Sequence, residues 1–220
     1  MRVAVKRWVY GRCVTRLGPR VLIGRLGGVT AIPTPLTIGT TSIRQFKSGR
    51  PVKIAEISKQ FAVHVGVEES LLAQLKDDAR LNGMMVFELD LSGLTDVAAL
   101  CQYLESEFMY PYRTAGLDAA IDLISDLEWF ENSQGYLVIV RGASDASPIT
   151  SVFGSLLPPI VDIWRKQDIP FVIAIREKGD RLRVALADAN EEMEEVGRRP
   201  WAQPGTGSVE VVVHPTKPGR

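Results

Sequence analysis

The chain has 220 residues, 45% of them hydrophobic and 24% charged, with 26 Lys/Arg against 26 Asp/Glu. That length fits one domain with extensions or two small ones, and the apolar share is ample for a packed core. The neutrality hides a segregation. Residues 1–83 hold fourteen Lys/Arg and five Asp/Glu, residues 84–177 hold five and fourteen, and residues 178–220 hold seven of each. An acidic globular block steers cationic partners and repels nucleic acid, so it argues against work on phosphates. The two cysteines, Cys13 and Cys101, fall in different charge blocks. That excludes a disulfide framework and a cysteine metal site, and it points to a reducing, cytoplasmic setting. No apolar run reaches the roughly 18 residues a membrane span requires. Arg12, Arg16, Arg20 and Arg25 interrupt every candidate for a secretory core.

Residues 1–55 contain eleven Lys/Arg and no acid. Three readings of this basic extension stay open: an organelle transit peptide, a disordered arm, or a stretch ahead of a true start at Met84-Met85. Short β pieces are expected at 3–10 and 20–23, before Gly27-Gly28 and the Pro33/Pro35 alternation break the pattern. Residues 56–83 read as a helical segment. Ile54, Ile57, Phe61 and Val65 recur at helical spacing, and Leu71, Leu72, Leu75 and Ala79 stripe a helix from Glu68 to Asn82. Glu68 and Glu69 suit its start and Gly83 its stop.

From Met84 the pattern turns α/β. "MVFELDL" alternates as a strand. Thr95 is placed to cap a helix running to about Phe108, with Val97, Leu100, Cys101 and Leu104 inward. "MYPYRTAG" is a loop, followed by a helix over 116–129. Tyr136–Val140 is a continuous apolar run, as expected of a strand covered on both faces. Residues 148–166 are helical, with Pro158-Pro159 expected to break them in two. "PFVIAI" (170–175) is another buried strand. Strands alternating with helices predict a small parallel three-stranded sheet flanked by helices over 84–176, with extensions on either side. Within the C-terminal appendage, 177–220, the alternation of Leu182, Val184 and Leu186 predicts an edge strand. "NEEMEEVGRRP" is expected to be a short charged helix or turn, and "SVEVVVH" one more strand.

The helix over 116–129 carries the candidate site. Leu117, Ala120, Ile121, Ile124 and Leu127 share one side; Asp118, Asp122 and Asp126 share another, with Ser125 and Trp129 beside them. Like charges four apart cost an isolated helix about 0.2–0.5 kcal/mol per pair. A row that weakens its own helix suits either a solvated face or a partner that compensates. The preceding loop favours the partner, because Tyr110, Tyr112 and Arg113 set aromatics and a donor beside the acids, which is usual hot-spot material.

The stretch "YPYRTAGLDAAIDLISDL" resembles the barstar family, whose signature is a Pro-x-Tyr loop followed by Leu-Asp-Ala-x-x-Asp on the second helix. The resemblance covers about 84–176. It implies a barstar-like fold and an intracellular inhibitor, of immunity or antitoxin type, for a basic ribonuclease or similar toxin. In such an inhibitor, carboxylates stand in for RNA phosphates. Asp118 and Asp122 match the two helix aspartates, with Asp122 central, and Tyr112 matches the first loop aromatic. Arg113-Thr114-Ala115-Gly116 departs from the family's aromatic-Gly-x-Asn, with one residue fewer, and Ile121 replaces an aromatic. Asp162 is the nearby candidate for the later acid usual in the family.

Enzymatic readings are poorly supported. His64 and His214 lie in different blocks with no local partner, no metal-ligand spacing occurs, and "GRLGGVTA" lacks the phosphate-binding spacing. No cofactor is implied. The alternative to the inhibitor is a regulator, in which a basic nucleic-acid-binding N-terminus is joined to an acidic partner-binding domain.

Overall fold

The computed structural model describes residues 61–132, 134–200, 202 and 206–214. The basic extension over 1–55 and its expected β pieces lie outside these residues. The described chain forms β1 (Ala62–Val65), α1 (Glu69–Leu81), β2 (Met85–Asp90), α2 (Val97–Glu107) and α3 (Leu117–Ile124). A 3-10 turn (Glu128–Phe130), β3 (Tyr136–Arg141), α4 (Ile149–Lys166), β4 (Phe171–Ile175), α5 (Asp180–Gly197) and β5 (Glu210–Val213) follow.

The strands make one sheet in the order β2-β3-β4-β1-β5, every pair parallel. Alternate residues divide between its faces. Val63, Val65, Leu89, Val138, Val140, Ile173 and Ile175 pack with the apolar stripes of α2, α3, α4 and α5. Leu137, Ile139, Val172 and Ala174 pack with Leu72, Leu75 and Ala79 of α1. The three central strands, β3, β4 and β1, are buried over almost their whole length. This explains why β3 and β4 read as apolar runs.

The sheet therefore has five strands, not three. The three expected ones lie side by side as β2-β3-β4, and β1 and β5 extend them beyond β4. β1 corrects the helical reading of its residues. A four-residue strand aligns Phe61 with Val65 at the spacing of one helical turn, so the two periods coincide. His64 also interrupts the apolar run that would have marked a buried strand. β5 falls within the segment expected to be one more strand.

Residues 180–197 form one helix, not an edge strand plus a turn. Its buried stripe is Leu182, Ala185, Leu186, Ala189 and Met193, while Val184, on which the alternation depended, is exposed. α4 runs unbroken through Pro158-Pro159. Its inner face, from Ile149 through Phe153, Leu157 and Ile160 to Trp164, is buried in the main core, and this packing offsets the lost backbone bonds. Asp96, not Thr95, caps α2: its carboxylate accepts from the Ala99 amide.

Candidate functional site

Three elements build the acidic face. α2 ends at Phe108, and Met109 takes a left-handed backbone (φ 47°) that turns the chain into the loop. Tyr110 then points inward. Its hydroxyl donates to the Ala120 carbonyl at 3.1 Å, and its ring meets Trp129 edge-on at 5.7 Å. Trp129 in turn donates from Nε1 to the Phe108 carbonyl. Burial pushes the Tyr110 phenol far above its ordinary value, so it remains a donor. Tyr110 and Trp129, expected among the contact residues, thus tie the loop to α3 and are half-buried. Tyr112 stays 65% exposed.

The far side of the loop is pinned separately. The amide and hydroxyl of Thr114 both donate to the Glu105 carboxylate on α2, and these bonds hold that carboxyl below its usual range. Gly116 (φ 138°) makes the turn into α3, a backbone that side-chain-bearing residues rarely adopt. The role of Glu105 was invisible in sequence, because its partner lies nine residues on, across a turn.

α3 buries Ala120, Leu123 and Ile124 and presents Asp118 and Asp122 to solvent. Among the described residues no Lys or Arg pairs with either. Burial first, and then the Asp118 charge, push the Asp122 carboxyl above its ordinary value. α3 ends at Ile124 with Ser125 as its C-cap, and the expected third member of the row, Asp126, lies in the closing turn: the Leu127 amide still donates to the Leu123 carbonyl at 3.1 Å, and the chain leaves the helix at Leu127, which is buried and left-handed (φ 41°). Asp126 remains exposed beyond the helix end. Ser125 is buried, and its Oγ has no hydrogen-bond partner.

Asp162 is a structural acid. It is buried on α4, bonded to Arg165 and 2.7 Å from Lys166. The wider field is lopsided: residues 84–132 hold ten Asp/Glu and a single Lys/Arg, Arg113.

Two other sites lie elsewhere. A crevice of about 550 Å³ opens at the C-terminal ends of β1, β3 and β4. It sits where the chain leaves β1 for α1 on one face and β4 for α5 on the other, the usual ligand position of parallel sheets. Several backbone amides in and beside it are held by the chain's own carboxylates. Glu177 accepts from Gly142 and Ala143, and Asp145 accepts from Asp180 and Arg181. The fold also joins the two histidines that the sequence kept apart, with His64 Nδ1 3.2 Å from His214 Nε2. Burial, then His214, lower His64 to about 3. Among the described residues no cluster of three or more His, Cys, Asp or Glu is arranged to hold a metal ion.

Residues 84–176 match the family model for barstar, described as the barnase inhibitor. This part of the chain is similar to barstar. It covers β2 to β4 with α2, α3 and α4, and so contains the whole acidic face and three adjacent strands of the sheet. No curated protein matches the chain, and no solved structure does.

Proposed function

We propose that the protein inhibits a basic ribonuclease, or a toxin with a similar cationic active site, by occluding that site with α3 and the loop before it. Asp118 and Asp122 take the positions of RNA phosphates, and Tyr112 packs beside them. The observation that carries this reading is the aspartate pair on α3, which no Lys or Arg among the described residues pairs with, inside the part of the chain that matches barstar, with the Asp122 carboxyl already pushed upward by burial and Asp118. A helix that holds two like charges without cations is completed by Arg and Lys from outside. The ten-to-one acidic field around it raises the association rate with a basic partner and disfavours nucleic acid. Such an inhibitor acts by stoichiometric blockade and needs no catalytic group or cofactor. Among the described residues no helix is long and apolar enough to cross a membrane.

The test is to titrate the full chain into a panel of basic ribonucleases that includes barnase. The reading predicts loss of RNA cleavage by at least one of them at a one-to-one ratio, weakening as salt rises. Full cleavage by every member at excess chain would refute it.

A further inference from the structure

Resting on the inhibitor reading, we infer that Arg113 is a specificity determinant, and that the partner's cationic cleft carries a carboxylate opposite it. Arg113 is the single Lys/Arg among eleven charged residues over 84–132. It is exposed, and it adjoins Tyr112, the most exposed aromatic side chain of the loop. Its position is fixed from both sides. Tyr110 is bonded to Ala120 of α3 on one flank, and Thr114 is bonded twice to Glu105 of α2 on the other. Four residues beyond Arg113 the acidic helix begins, with Asp118 in its first turn.

A loop held in this way presents a guanidinium to whatever α3 presents carboxylates to. Against a uniformly cationic cleft that guanidinium meets like charge, which an interface of this kind penalises heavily. Glu105 lies close enough to feel the Arg113 charge, but its Oε1 is engaged by the amide and hydroxyl of Thr114 and the two side chains form no ion pair among the described residues. An acid on the partner completes Arg113 with the paired, planar bonding that suits a guanidinium. The same residue then rejects cationic clefts that lack the acid, which is selection by repulsion.

The test uses whichever ribonuclease of the panel the chain inhibits, together with versions of that enzyme in which each Asp and Glu of the active-site cleft is changed in turn to its amide. Arg113→Glu is expected to weaken inhibition by at least ~10-fold, and that loss is expected to vanish against one of the amide variants. Unchanged or tighter inhibition by Arg113→Glu, while Asp122→Ala weakens it, overturns the inference and leaves the inhibitor reading standing. Unchanged inhibition by Asp122→Ala, or no inhibition of any ribonuclease by the unmodified chain, removes both.

Discussion

Two acidic regions of this molecule use the same side chains to opposite ends. Along α1 and the adjoining strands, Glu88 bonds Lys76 and Arg141, and Glu69 bonds Arg141 and lies 3.6 Å from Arg176. Those hydrogen bonds hold the Glu69 and Glu88 carboxyls below their ordinary values. Among the described residues no such cation stands by Asp118 or Asp122 on α3, and the Asp122 carboxyl is displaced upward. The difference separates acids engaged by the chain's own cations from acids that the proposed inhibitor reading assigns to a partner. It does not follow the limits of the barstar match: the α3 pair lies inside them, and so do Glu88, Arg141 and Arg176, whereas Lys76 and Glu69 lie before them.

The severest way to break the comparison is to begin the chain at Met84. That removes β1 from between β4 and β5, and it takes Val63 and Val65 from the main core and Lys76 and Glu69 from the ionic network. The α3 acids are untouched. Loss of cooperative unfolding by residues 84–220, measured by thermal melts, is expected. A sharp transition like that of the full chain would show that the outer strands are dispensable.

Binding separates the regions next. Asp122→Ala is expected to cost at least ~2 kcal/mol in affinity for the inhibited ribonuclease, whereas Glu88→Ala changes affinity little. Asp126→Ala, in the closing turn beyond Ile124, costs less than Asp122→Ala and acts mainly on the association rate. Equal losses at Asp122 and Glu88 would erase the distinction.

Acidification should sharpen it further. His64 has a folded value near 3, below its ordinary 6.5, so its neutral form contributes stability that is full above pH 6.5. That contribution is lost as the pH falls from 6.5 towards 3, by up to about 1.4 kcal/mol per pH unit. Glu69 and Glu88, held low, lose their contribution only below their ordinary 4.5. Asp122, held high, costs stability when ionised and is relieved as it protonates. Burial also holds His214 below 6.5, so it adds to the same window, and denaturant melts of His64→Gln should lose much of the dependence between pH 6.5 and 4.5 while keeping the His214 share. The smallest effect follows from the same sign: at pH 7 Asp122→Asn should stabilise the free chain by about 0.2–0.5 kcal/mol. Destabilisation in the same melts would mean that an unseen cation supports Asp122.

How much of this was legible in sequence depended on whether the signal was local. β2, β3 and β4 showed because alternation or an unbroken apolar run marked each one. β1 did not, because four residues containing His64 carry too little pattern to tell a strand from a turn of helix. α5 was misread because Leu182, Val184 and Leu186 fit a period of two until Ala185, Ala189 and Met193 are added. At the site, the Leu117-Asp118-Ala119 run and Asp122 were readable from spacing and from the family resemblance. The end of α3 was not, since the left-handed turn at the buried Leu127, which puts Asp126 in the closing turn of the helix, has no local sequence signal. Tyr110 and Trp129 looked like contact residues because an amphipathic aromatic has the same sequence signature whether its polar end meets solvent or a buried carbonyl.

The central claim is that Asp122 is held at a cost that the partner's cations relieve, and the direct measurement is its carboxyl titration by NMR, free and in the complex. The account predicts a value above the ordinary 3.8 in the free chain, falling below 3.8 when the ribonuclease is bound. A value at or below 3.8 in the free chain, or one that stays put or rises on binding, would contradict it.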